Sequence, residues 1–171
     1  IKFYWLDNSM ETFIDAETLR PLKYEEKANE KDWRAVDTVL FFPEKLTFTK
    51  LRGEKLDKVE KGDAAYTEWP QDELSIVYYV RHLPLEVGKT FTVNSCVDSG
   101  LQTAVIKVVK KQPLKTVSGR KEVFQITSTL GDAEFFIGTE STRIPYQFYV
   151  KLNIGGMRAT LKEYSASPVK E

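Results

Sequence analysis

The feature that most constrains this chain is a period of two, repeated in short segments along most of its length. In "RIPYQFYVKL", Ile144, Tyr146, Phe148, Val150 and Leu152 alternate with Gln147, Tyr149 and Lys151. After Asn153-Ile154-Gly155-Gly156 the pattern resumes, with Met157, Ala159 and Leu161 set against Arg158, Thr160 and Lys162. Successive side chains of a strand point to opposite faces, so this spacing predicts a hairpin with one apolar face and one wet face. "METFIDAETLRPLKYEEK" reads as strand, turn at Asp15 to Thr18, strand. "DWRAVDTVLFF" and "KLTFTKLRG" flank a turn at Pro43-Glu44. "GKTFTVNSCV" and "LQTAVIKVVKK" flank Asp98-Ser99-Gly100, a second hairpin turns at Ser118-Gly119 into "KEVFQITSTL", and "AEFFIG" follows. Short segments rich in β-branched and aromatic residues, separated by turn chemistry, predict an antiparallel all-β protein.

Two segments break the alternation. "AVIKVV" and "VDTVLFF" carry apolar residues at both parities, which calls for a covered second face or for a bulge that resets the register. A helix is available to do the covering, so the expectation is that both faces are buried. The charged, glycine-flanked "GEKLDKVEKGD" reads as an exposed loop. With no internal repeat and no low-complexity linker, residues 1–171 read as a single domain. The chain begins "IKFYWLDNSM", within a strand, so the natural chain is expected to carry further strands upstream.

The helix is "DELSIVYYVRHLP". Asp72 can cap its first turn, Glu73 suits the positive end of the dipole, and Pro84 stops it with Leu83 pushed out of helical geometry. On the helical wheel Ile76, Val77, Val80 and Leu83 share the arc that should pack on the sheet. Ser75, Tyr78, Tyr79 and His82 share the opposite arc, with Leu74 and Arg81 between the two. His82 is the one histidine of the chain, and by itself it is expected to be simply exposed.

The side-chain inventory excludes several function classes. Lysine plus arginine equal aspartate plus glutamate at 25 each, so no basic excess points to nucleic acid. One histidine, one cysteine (Cys96, in a strand) and no serine at a glycine-rich elbow leave no assembled triad. His, Cys and Asp do not cluster at metal-ligand spacing, Asp98-Ser99-Gly100 reads as a turn, and no glycine-rich loop suits a cofactor phosphate. Glu25-Glu26 and Glu60 to Asp63 read as solvated turns and edges. No apolar run is long enough to span a bilayer. The aromatics Tyr78, Tyr79, Tyr146, Tyr149, Trp5, Trp33 and Trp69 could line a groove for a sugar or an acyl chain, although strands favour aromatics for packing alone.

Three stretches together resemble the bacterial exported family called domain of unknown function 3108, most strongly over residues 72–164. They are "LSIVYYVRHLPLEVGKTF", the strand pair ending "KVVKKQPLKTVSGRKEVFQI", and "STRIPYQFYVKLNIGGMRATLKEY". The motif positions are Tyr78, Tyr79 and Arg81, then Leu83-Pro84-Leu85 and Gly88, then Lys115, Thr116 and Gly119, then Arg143, Ile144, Pro145 and Gly155. His82 lies outside the motif, and the segment from Leu130 to Arg143 is short for the family. The resemblance implies export to the bacterial periplasm or outer membrane and a curved antiparallel sheet, without an established activity.

The combined expectation is an all-β fold with one short α-helix, its curved antiparallel sheet forming a β-barrel or open half-barrel with the helix across its mouth or concave face. The leading function is non-enzymatic binding of a lipid-like, glycan or protein partner in the envelope, without a cofactor or metal. In that picture Tyr78, Tyr79 and His82 face the mouth, Arg81 meets a head-group anion, and Trp69 belongs to the aromatic lining. The alternatives are an assembly module acting through a strand edge, and a hydrolase or lyase of envelope polymers. The last needs two carboxylates, or His82 and a carboxylate, converging in a cleft.

Overall fold

The computed structural model describes residues 7–97, 100–152 and 155–165, which form eleven strands and one α-helix. β1 (Ser9–Ile14), β2 (Pro21–Glu30), β3 (Trp33–Phe42), β4 (Lys45–Arg52) and β5 (Lys58–Ala65) make one antiparallel sheet in sequence order. After α1 (Ser75–His82), a second antiparallel sheet is built from β6 (Thr90–Val97), β7 (Gly100–Thr116), β8 (Gly119–Ser128), β9 (Ala133–Gly138), β10 (Pro145–Leu152) and β11 (Gly155–Thr160), again as neighbours in sequence. The all-β expectation with one short helix therefore holds, with two sheets where one is expected. By compactness the residues fall into two units: 1–80 with 93–103, and 81–92 with 104–171.

In the first unit the turn chemistry lies where the sequence puts it. Asp15 Oδ1 accepts from the amides of Glu17 and Thr18 at 3.2 and 2.7 Å and from the Thr18 hydroxyl at 2.7 Å, an Asx-type turn. The core lies on one face of the sheet, where Tyr24 opposes Val39, Val39 opposes Phe48, and Phe41 opposes Leu46. These residues bury around Leu46 together with Cys96, and Phe48, Ala64, Tyr66, Trp69 and Leu74 pack against them. Cys96 here behaves as a small hydrophobe.

Three expectations are corrected. The segment from Gly53 to Asp63 is not a loop throughout: a turn at 53–56 leads into β5. β5 is an edge strand, and edge strands carry charge that discourages pairing with another chain, so its composition imitates a loop. Gly62 sits opposite Phe48, and a Cβ there would meet the Phe48 ring at 2.4 Å. Secondly, the two doubly apolar strands are not covered on both sides. In β3, Val39 and Phe41 are buried while Leu40 and Phe42 are 39% and 45% exposed. In β7, Ala104, Ile106 and Val108 are buried and Val105 and Val109 are exposed. β7 also holds the bulge, since its register with β8 shifts between Val108 and Lys110.

Thirdly, the apolar ladder of β10 does not lie on one face. The register with β9 shifts between Pro145 and Gln147. Ile144 and Tyr146 consequently pack with Val123 and Phe136, whereas Phe148 stacks on Phe135 at 5.6 Å. Phe135 and Phe136 are consecutive in a strand and so face opposite ways. Leu114 and Leu161 complete the first cluster. On β11, Met157 and Ala159 are exposed rather than buried. The turn residues Asp98, Ser99, Asn153 and Ile154, and Trp5 with the rest of the first six residues, lie outside the described residues.

Candidate functional site

The helix begins on a reciprocal cap. The amides of Leu74 and Ser75 donate to Asp72 Oδ1 at 2.9 and 2.8 Å, and the Asp72 amide donates to Ser75 Oγ at 2.8 Å. The Thr12 hydroxyl of β1 donates to Asp72 Oδ2 at 2.6 Å, tying the cap to the sheet. Ser75, expected on the outward arc, is therefore buried, because its hydroxyl is part of the cap. Ile76 and Val80 are buried as expected. Tyr78 and His82 are exposed and Tyr79 is half-buried.

Arg81 has a structural partner at the motif arginine, Arg143. Arg81 Nε donates to the Arg143 carbonyl and Nη2 to the Thr142 carbonyl, both at 2.8 Å. In return Arg143 Nη1 donates to the Arg81 carbonyl at 2.8 Å and to the Leu83 carbonyl. The second pair satisfies carbonyls at the C-terminal end of α1, which have no partner within the helix. Arg143 itself has φ +45°, in the left-handed region that costs a non-glycine residue of order 1–3 kcal/mol. Glu140 holds the same loop: its Oε1 accepts from the Ile144 amide and the Tyr146 hydroxyl, each at 3.2 Å. Burial, followed by the charge of Glu140, raises the Tyr146 phenol above its ordinary value and keeps it a donor. The two motif arginines thus form a clasp between helix end and strand entry.

Trp69 is likewise held. Its indole N–H donates to the Pro21 carbonyl at 3.1 Å, its ring packs edge-on to Tyr66 at 5.7 Å, and the Arg20 guanidinium lies 5.1 Å from it.

The polar concavity lies elsewhere, on the core-bearing face of the first sheet and beyond its apolar end. Glu26 opposes Asp37 and Asp37 opposes Lys50, while Ala28 opposes Ala35 and Ala35 opposes Arg52. Two alanines side by side among longer neighbours leave a depression. The resulting cleft, about 190 Å³, is lined by Glu26, Ala28, Trp33, Ala35, Asp37 and Arg52. Asp37, nearly buried, takes a two-pronged contact from Arg52, Nη2 to Oδ2 at 2.8 Å and Nη1 to Oδ1, with Lys50 Nζ 3.9 Å away. Such bidentate pairs fix orientation as well as charge. The Tyr24 hydroxyl donates to Glu26 Oε2 at 3.5 Å. Burial, reinforced by the carboxylates of Glu73, Glu26 and Asp72, drives the Tyr24 phenol well above its ordinary value, so it remains a donor. Trp33 is 47% exposed at the rim. A second cleft of about 230 Å³ in the same unit is lined by Tyr66, Thr67, Asn94, Leu101, Gln102 and Thr103.

Asp37 by itself carries no signal in the sequence, and Glu25-Glu26 has the composition of a solvated turn. Glu26 is half-buried inside β2. The available signal was an unusual pairing of small and charged residues at one parity in both β2 and β3.

The chain matches the model of a family described as a protein of unknown function, DUF3108, over residues 1–162 of 171. It belongs to that family. The match extends the resemblance beyond residues 72–164 to the first sheet. No curated protein and no solved structure is matched by the chain. Among the described residues no helix is long and apolar enough to cross a membrane, and no group of three or more His, Cys, Asp or Glu side chains could hold a metal.

Proposed function

We propose that this member of the DUF3108 family is a non-enzymatic binding protein of the bacterial envelope and that its ligand is a glycan. On this reading the first sheet is an open half-barrel whose concave face is filled with core at one end and binds ligand at the other. The observation that carries the proposal is the cleft over Ala28 and Ala35, where an exposed indole stands beside hydrogen-bonding groups fixed in place. Trp33 offers a flat apolar surface to a sugar ring, and Glu26 and the Asp37–Arg52 pair offer acceptors and donors to hydroxyls. The cleft has room for about six water molecules, close to the size of one sugar ring. Sites for larger apolar ligands span roughly 300–1,000 Å³, which favours the glycan over an acyl chain among the ligand classes considered.

Glu26 and Asp37 are also the pair of carboxylates that a hydrolase would need in one cleft. The contacts to Arg52 and Lys50 oppose that role, because both Asp37 oxygens are already engaged by the Arg52 guanidinium, with Lys50 beside them. Titration calorimetry with soluble envelope glycan fragments tests the proposal. Binding that weakens about tenfold or more in Trp33→Ala, the scale of a lost aromatic anchor, supports it. Absence of glycan binding, binding unaffected by Trp33→Ala, or fragment cleavage lost in Glu26→Gln overturns it.

A further inference from the structure

The β7–β8 hairpin concentrates charge that the composition hides. Between residues 107 and 122 stand Lys107, Lys110, Lys111, Lys115, Arg120 and Lys121 against one carboxylate, Glu122. All six cations are exposed except Lys121, which is half-buried. None of them takes part in the ion pairs found among the described residues. Lys115 and Arg120 are directly opposite each other in the ladder. Like charges in that position destabilise a strand pair, so this arrangement works against the fold that carries it.

Register places Lys111, Lys115 and Arg120 on one face of the ribbon and Lys110 and Lys121 on the other. At the turn itself Lys115 and Arg120 charge one face and Lys121 the other, while Lys110 and Lys111 stand about 20 Å back along the ribbon. At the tip stands Val117, 55% exposed, where turn positions ordinarily carry polar residues. The turn is braced: the Thr116 hydroxyl donates to the Gly119 carbonyl at 2.8 Å and accepts from the Ser118 amide at 3.1 Å. Gly119 follows with φ +93°, a conformation that L side chains resist. The hairpin thus holds an apolar point in a collar of cations.

We propose that this hairpin docks end-on to an anionic lipid surface. Headgroup phosphates would neutralise the collar, and Val117 would enter the boundary between headgroups and acyl chains. Cations on both faces around an apolar tip fit a flat charged surface better than a polymer lying along one face. The contact is peripheral and uses residues remote in sequence from the cleft at Trp33.

Flotation of the full chain with phosphatidylglycerol vesicles and, separately, phosphatidylcholine vesicles tests this, at low and high salt. Phosphatidylglycerol vesicles are expected to carry the chain, phosphatidylcholine vesicles to leave it behind, and salt to release it. Lys115→Glu with Arg120→Glu should weaken vesicle binding at least about tenfold, and Val117→Ser should weaken it less. The neutral change Lys121→Gln, next to the turn, provides a milder variant that must also weaken binding. Equal binding to both lipids, no binding, or full binding by these charge variants overturns the proposal. So does capture of the chain by soluble dextran sulfate when phosphatidylglycerol vesicles leave it behind. Trp33→Ala is expected to float like the unmodified chain, so failure here is separable from failure of the glycan proposal.

Discussion

The two compact units have opposite charge. The first carries 12 Lys and Arg against 18 Asp and Glu, a net of −6, and the second carries 13 against 7, a net of +6. They also use charge differently. In the first sheet ionic groups meet within or across strands: Lys23 and Lys27 flank Glu25 at 3.1 and 2.7 Å, and Arg52 and Lys50 converge on Asp37. In the second unit Arg81 and Arg143 bind backbone carbonyls, and the hairpin cations other than the half-buried Lys121 are exposed. A balanced composition therefore says little about local fields, which depend on how the fold sorts the charges.

Three measurements test this contrast between the units. The largest effects should come from the two cores. Leu46→Ala in the first unit and Ile126→Ala in the second each remove a fully buried side chain and should cost about 2–5 kcal/mol. Calorimetry should show each substitution lowering a different transition. A single transition shifted equally by both would mean that the units unfold together and that the division is one of shape only.

Arg143→Ala should cost about 1–3 kcal/mol, because it strips the Arg81 and Leu83 carbonyls of a charged donor. Relief of the positive φ at this position reduces the net cost only if the loop re-forms. Arg143→Lys should not restore the loss, since a single ammonium lacks the planar fork. Denaturant melts of the three proteins give the comparison, and full rescue by lysine would reduce the clasp to simple charge.

The smallest effect concerns Glu25. Hydrogen bonds from Lys27, then from Lys23, hold its carboxyl below the ordinary carboxylate range. A folded-state value below the unfolded one contributes stability that is present above the unfolded value and lost as pH falls through the folded one. Glu25→Gln should therefore destabilise by less than about 1 kcal/mol at neutral pH. The difference should disappear in acid, when both chains are melted across that range. A penalty that persists in acid would mean that Glu25 acts by packing rather than by charge.

Strand positions were legible in the sequence wherever a two-residue period ran between turn residues, as in β2, β4 and β10. The helix was legible from its cap and its proline. β5 was missed because an edge strand and a solvated loop select the same charged residues. The faces of β10 were misassigned because a bulge inserts a residue without altering the apolar pattern, reversing every side chain on one side of it.

Of the residues expected to face a ligand, Arg81 and Trp69 are tied into hydrogen bonds with backbone carbonyls, contacts made across 62 and 48 positions of sequence. The cleft could not be read from sequence because its parts come from β2, β3 and β4, and only pairing brings Glu26, Ala28, Trp33 and Arg52 together. The all-β class, the capped helix and the family can be reached from the residues alone. Local propensity and period suffice for the first two, and the family rests on the match over residues 1–162. Tertiary structure decided the division into two sheets, the burial of each face, the arginine clasp and the sorting of charge. These depend on strand register and long-range contacts, which a single chain of letters does not specify.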